Sequence, residues 1–278
     1  SEHSKYHIIA ITSRRENLNE FKGEELQFKG MNGLDFEEYL WSKGEHSLAE
    51  LIREAFNKRK TCPFHKVALD LFLTFLQTGG MPEVVIASNE GKSEYELDAI
   101  KQKILDIYKK EVVLSSVLID ITRGLEVINS IPDQLTKENK KFQYGVIGAG
   151  KRAKEYENCI NNLVNSLRRY KAGLAAAFML SSGVLLSSCK DKDSFKLFMS
   201  DDGLLYSMLH TNFKKLLTDE SLKETLYENH IAKTLTELGY SIYYYQSEGK
   251  AEVNFVIQDR MGKIIPIEIT TRKDSKAK

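Results

Sequence analysis

The chain has 278 residues, a net charge of +1, 42% hydrophobic and 28% charged residues. That length allows two or three domains, and the composition is that of a soluble globular protein. The balanced charge excludes a global field directed at nucleic acid or membrane, so any such surface must be local. No apolar run approaches the ~20 residues that span a bilayer. The opening SEHSKYHIIAITS lacks the pattern of a signal peptide. Cys62, Cys159 and Cys189 are widely spaced, with no CxxC pair and no zinc pattern, which fits plain buried thiols in a reducing cytoplasm.

Tyr6–Ile11 reads YHIIAI, a short buried strand, followed at once by Thr12, Ser13, Arg14 and Arg15. A second β-type piece surrounds Glu25–Phe28. Asp35 is placed to cap a helix carrying Phe36, Tyr39 and Leu40. Ser47–Arg59 and Phe64–Gln77 read as amphipathic helices, and Gly79-Gly80-Met81-Pro82 as a helix stop and turn. Glu96–Val113 reads as a further helix, with Leu97, Ile100, Ile104, Ile107 and Tyr108 on one face.

Leu125, Ile128 and Ile131 suit one short helix, which Pro132 and the polar KENKK run should end. Gly145–Arg152, GVIGAGKR, matches the G-x-x-x-x-G-K of a phosphate loop but has Arg152 where Ser or Thr would bind Mg²⁺. A working phosphate loop follows a buried strand, and KENKKFQY is too polar for one. The stretch therefore reads as a loop leading into a helix over Arg152–Ser166, with Ile160, Leu163 and Val164 in helical period. AAAFMLSSGVLLSS supplies paired strands. Lys137, Lys140, Lys141, Lys151, Arg152, Lys154, Arg168, Arg169 and Lys171 form a basic cluster opposed by Glu138, Glu155 and Glu157. It is either a surface for phosphates or a solvated face.

Phe195–Met199 reads as a strand, with Asp201-Asp202-Gly203 as a turn capping the helix Leu204–Leu209. His210 and His230 have no metal spacing and read as structural. Tyr240, Tyr243, Tyr244 and Tyr245 make an aromatic strand, suited to packing against the Glu228 helix or to stacking on bases. Ala251–Thr271 holds two β-type runs, Val253–Ile257 and Ile264–Ile269, with Asn254 in the first and Glu268 in the second. Glu268 and Thr270, two apart, should share a face. A carboxylate inside an apolar strand needs a partner, a metal or a wet cleft.

Several of these stretches carry a family resemblance. HIIAITSRR, GLDFEEYL, TGGMPEVV and IYKKEVV, followed in order by IPDQLTKENKKFQYGVI, FKLFMSDDGLL, LYENHIAKTL, EVNFVI and IPIEI, resemble a prokaryotic AAA-type ATPase family. There an ATPase module precedes a winged helix and a C-terminal domain of unknown function with a nuclease-like core. The resemblance implies an α/β multidomain chain: residues 1–115 as the end of an ATPase module with a helical lid, 116–193 as a winged helix, and 194–278 as a degenerate restriction-endonuclease-like domain with a mixed sheet. It makes Thr12, Ser13 and Arg14 sensor-like positions near a nucleotide, and the chain the C-terminal part of a longer protein.

The same resemblance places Glu228 at the helix acid of the nuclease core, Asn254 at its Asp, and Glu268 and Thr270 at Glu-x-Lys. Asn is a weaker ligand for a hard cation and Thr has no charge to steady an anion. The implied function is a nucleic-acid-associated, non-catalytic part of an AAA-type ATPase. The alternatives are a metal-dependent nuclease with an altered site and a protein-interaction module of a defence or toxin–antitoxin system. The cofactor expectation is none in this chain, no metal, with ATP and Mg²⁺ only for the longer family protein. The partner expectation is DNA, a second copy or a neighbouring ATPase subunit, with no membrane.

Overall fold

The computed structural model describes residues 31–115, 118–169, 178–182, 195–246 and 252–271. The strand and sensor-like positions expected at Tyr6–Ile11, Thr12, Ser13 and Arg14 lie outside the described residues.

Helix α1 (Phe36–Ser42) opens as its sequence implies. Asp35 Oδ1 accepts from Glu38 N at 2.8 Å, and Glu38 Oε2 accepts from Asp35 N at 3.0 Å. This reciprocal cap satisfies two N–H groups that have no helical partner. α2 (His46–Asn57) and α3 (His65–Thr78) follow. Gly79, at φ +82°, takes the left-handed conformation that ends α3. Pro82 then stands in the first turn of α4 (Pro82–Asn89), a helix the reading of Gly79–Pro82 as a bare turn did not anticipate. α5 runs over Glu94–Ser115.

α6 (Leu118–Leu135) corrects an expectation: the helix passes through Pro132. Only three residues follow the proline, and Ile131 and Leu135 on either side of it are buried. That burial offsets the lost hydrogen bond, which costs about 3 kcal/mol in an exposed helix interior. α7 is one turn (Tyr144–Ile147), and α8 covers Ala153–Arg169.

The remaining elements are β1 (Phe178–Ser182), β2 (Phe195–Phe198), α9 (Asp202–Met208), α10 (Phe213–Thr218), α11 (Glu220–Glu237), β3 (Tyr243–Gln246), β4 (Glu252–Gln258) and β5 (Ile264–Ile267). They make a mixed α/β fold. The five strands form one sheet in the order β2-β1-β3-β4-β5. β1 pairs antiparallel with β2 and parallel with β3, and β3, β4 and β5 form an antiparallel meander. β1 comes from the stretch expected to build a wing; it joins the sheet of the C-terminal strands instead, with Phe178 opposite Phe198.

One apolar core runs through Leu73 and Leu76 of α3, Val127 and Ile131 of α6, Leu197 and Phe198 of β2, Leu226 of α11 and Phe255 of β4. Segments on both sides of the expected boundaries at 115/116 and 193/194 contribute to it. Among the described residues, no helix is long and apolar enough to cross a membrane.

Candidate functional site

The side chains with the chemistry to form a site converge on α11. The helix starts at Asp219, whose carboxylate accepts from Leu222 N at 3.1 Å, with Glu220 in the first turn. Its buried positions Thr225, Leu226, Glu228, Asn229, Ala232 and Lys233 follow helical spacing. Four of those six are polar, so each polar group must find a partner inside the fold.

Glu228 is 1% exposed. One carboxylate oxygen is 3.0 Å from Lys196 Nζ on β2; the other bonds Lys140 Nζ, from the link between α6 and α7. Lys196, also 1% exposed, is 2.9 Å from Glu252 at the start of β4. The ammonium also lies 5.0 Å from the Tyr244 ring centre. Burial alone would raise the Glu228 pKa, but the charges of Lys196 and Lys140 outweigh it and hold the carboxyl below its usual range. Burial would depress Lys196, and Glu228 and Glu252 together raise it instead. The cluster joins α11, β2, β4 and the α6–α7 link by alternating charges.

A second cluster lies further along the same helix. Asn229 accepts from Met199 N at 2.8 Å and donates to Asp202 Oδ1 at 2.8 Å. His230 Nδ1 is 2.8 Å from Asp202 Oδ2. Asp201 caps α9 through Leu204 N at 2.9 Å and takes Gly80 N at 2.7 Å. The adjacent aspartates diverge. Burial pushes Asp201 up, with Lys233 only partly offsetting it. Burial also acts upward on Asp202, but His230 and Lys233 bring it below the usual range. An Asp–His pair can serve as a general base. Here Phe72 and Phe75 stand edge-on to the imidazole, at 5.0 and 5.8 Å between ring centres, and Asp202 is fully buried. The pair therefore braces the packing of α11 on α3 and α9.

The positions singled out from sequence distribute unevenly. Glu228 is in the first cluster, but its connection to β4 runs through Lys196 to Glu252, not to Asn254. Asn254 Oδ1 accepts from Ile269 N at 2.9 Å, pinning the chain just beyond β5. Glu268 lies past the end of β5 and is exposed, a correction to its reading as a carboxylate enclosed by an apolar strand. Exposed Glu268 and Thr270 alternate with half-buried Ile267 and Ile269, as their spacing implies. Among the described residues, no group of three His, Cys, Asp or Glu could hold a metal ion.

The basic cluster also divides. Lys140 is buried on Glu228, and Lys151 is 3.3 Å from Glu126, which also accepts from Tyr156. Lys141 is half-buried over the Tyr244 ring, at 5.8 Å. Lys137, Arg152 and Lys154 are exposed. The side chains of Arg168 and Arg169, and all of Lys171, lie outside the described residues. The GVIGAGKR stretch runs from α7 through a loop to the start of α8, and residues 136–143 before it are turn, bends and irregular backbone where a phosphate loop would have a strand.

Sequence reasoning overlooked Lys196. Its signal was present: a lysine inside the apolar run Phe195–Met199 needs a partner by the same rule that singled out Glu268.

These features define a mixed α/β protein whose most chemically endowed helix is tied into the core by paired charges. A family model described as Domain of unknown function (DUF8612) matches residues 69–215, more than half of the chain, and the chain belongs to that family. Residues 223–278 match a second domain of unknown function, DUF4143, found in AAA-ATPase-associated proteins. No curated protein and no solved structure matches the chain.

Proposed function

We propose that this chain is a non-catalytic accessory module of an AAA-type ATPase system. In this reading residues 1–115 are the end of the ATPase module with its lid, the helices of 116–193 a winged-helix-like segment whose β1 is given over to the C-terminal sheet, and 194–278 a nuclease-like fold without nuclease chemistry. The observation that carries it is the state of Glu228, 1% exposed with both oxygens on ammonium groups. A metal-dependent nuclease needs its carboxylates open to a hydrated divalent cation and a base or lysine aimed at water. Here a lysine occupies the place beside the acid, Asn254 is engaged by Ile269, and Thr270 carries no charge. The AAA association is supported by the ordered motifs and by the DUF4143 match.

Incubation with single- and double-stranded DNA and RNA in Mg²⁺ or Mn²⁺ tests this reading. The expected result is intact substrate. Cleavage abolished by Glu268→Ala or Glu228→Gln would overturn it. A second reading, weak sequence-independent association with duplex DNA, is favoured by the exposure of Lys137, Arg152 and Lys154.

A further inference from the structure

The link between α2 and α3 makes an exposed tip that combines bare rings with unpaired cations. Phe56, in the last turn of α2, is 82% exposed, and Phe64, the N-cap residue of α3, is 55% exposed. Neither belongs to an apolar cluster of the described residues, so both rings keep surface open to solvent. Lys58, Arg59 and Lys60 stand between them, and Lys66 follows; all four are exposed. Lys58 pairs with Glu54, whereas among the described residues Arg59, Lys60 and Lys66 have no ion pair. Residues 55–69 carry these four cations and no carboxylate, while the rest of residues 31–89 has eight Asp and Glu against Lys43 and Arg53. The positive field is therefore confined to the tip.

A backbone observation points to the same place. α2 closes with Arg59 N on Phe56 O at 3.1 Å and Lys60 N on Ala55 O at 2.9 Å. α1, α4 and α11 close with the same two bonds, around Gly44, Gly91 and Gly239. Arg59 takes the left-handed position, at φ +50°, that glycine takes in the other three. A side chain is strained there and glycine is not. The guanidinium makes no ion pair that repays the strain inside the fold, so its use lies outside the chain.

The partner must be anionic and must cover bare rings. An anionic bilayer would also press on the acidic body beside the tip. The centre of a protein interface is poor in lysine, whereas here lysines alternate with the rings. The bases of a duplex are already stacked on one another. An unpaired strand lays its bases on aromatic rings and its phosphates on the cations between them. We propose that the α2–α3 tip binds single-stranded nucleic acid, with bases on Phe56 and Phe64 and phosphates on Arg59, Lys60 and Lys66. Rings and cations serve DNA and RNA alike. The surface is separate from the exposed cations at the start of α8, and it stands whether or not the chain assists an ATPase.

The test uses the full chain and fluorescein-labelled eight-nucleotide (dT) and (rU) strands, followed by anisotropy. Saturable binding of one or both is expected, and the tighter probe identifies the kind of strand. Phe56→Ala and Phe64→Ala should each weaken binding about fivefold or more. Arg59→Gly relieves the left-handed turn, so it should melt no lower than wild type and yet bind about fivefold more weakly. Its log–log salt slope should fall by about 0.7 for one lost phosphate contact. Lys103→Ala, exposed on α5, should bind like wild type. Unlabelled strand should displace the probe at a lower charge concentration than poly-glutamate or phosphatidylserine vesicles. Displacement by poly-glutamate or vesicles as effective as by the strand would overturn the proposal in favour of a protein or lipid partner. So would folded Phe56→Ala and Arg59→Gly proteins that bind like wild type, loss of binding confined to Arg152→Glu/Lys154→Glu, or no binding of either strand.

Discussion

Asp201 accepts a hydrogen bond from the backbone N–H of Gly80, 121 residues earlier in the chain, at 2.7 Å. The bond joins two segments that looked like independent signals, TGG at the end of α3 and DDG at the start of α9. The backbones meet closely: a Cβ on Gly203 would collide with the Thr78 carbonyl, and one on Gly79 with Asp201. Glycines on both sides permit that approach, and the carboxylate satisfies the amide it buries.

Asp201→Ala removes the acceptor of both Gly80 N and Leu204 N while they stay buried. Each such orphan costs about 1–3 kcal/mol, so a loss of about 3 kcal/mol is expected in urea unfolding. Asp201→Asn keeps one acceptor oxygen and removes a carboxyl whose ionised form burial disfavours. Its NH₂ then faces the other N–H, so it should cost less than Asp201→Ala but still about 1 kcal/mol or more, the cost of one unsatisfied amide. Equal losses in the two variants would mean that Asp201 acts through its charge.

Glu228 gives a pH-dependent expectation. Its folded pKa is depressed, so its contribution is present above the ordinary glutamate range and is lost as pH falls through the folded value. Glu228→Gln leaves Lys140 without its carboxylate and Lys196 with Glu252 alone, a loss of about 3–5 kcal/mol for a broken buried pair. The difference in unfolding free energy between wild type and Glu228→Gln should be largest near neutral pH and shrink in acid. A difference constant down to the acid unfolding limit would place the role of Glu228 in shape, not charge.

Local signals carried much of the fold. The Asp35 cap, the stop at Gly79 and the exposed–buried alternation of residues 267–270 follow from neighbours in sequence, and the structure shows each. Pro132 misled because its local penalty is opposed by the burial of Ile131 and Leu135, which sequence spacing does not reveal. α11 is weakly patterned for apolar residues because its buried face carries Glu228, Asn229 and Lys233. The candidate site was legible only in part. Glu228 was visible as a charge, but its partners lie 32 residues away at Lys196 and 88 away at Lys140, and only tertiary packing brings them together. Lys140 looked like one cation among many in a polar run; nothing local distinguishes it from exposed Lys137.

Restoring nuclease-type residues should not restore chemistry. Asn254→Asp/Thr270→Lys supplies the missing carboxylate and ammonium, yet position 254 must still accept Ile269 N and Glu228 remains paired with two lysines. No divalent-metal-dependent cleavage and no gain in Mn²⁺ affinity by calorimetry are expected. Cleavage by the double variant would show that Glu228 can leave its lysines.

The basic residues separate into two kinds, and charge reversal should distinguish them. Arg152 and Lys154 are exposed beside the start of α8. Exposed substitutions away from packed features usually change stability by about 0.5 kcal/mol or less. Arg152→Glu/Lys154→Glu should melt like wild type, and any weak duplex-DNA affinity should fall together with the slope of its salt dependence, about one unit per lost phosphate contact. Lys140→Glu is a different perturbation. It places a second carboxylate against Glu228 at a buried site, so a loss of at least about 3 kcal/mol is expected, with Lys196 left as the one cation on that acid. Any loss of DNA binding in that variant would then track unfolding and vanish when affinity is scaled to the folded fraction. A stable Lys140→Glu protein with selectively lost DNA affinity would return Lys140 to the phosphate-facing surface. Unchanged DNA affinity in folded Arg152→Glu/Lys154→Glu would remove that surface from the start of α8.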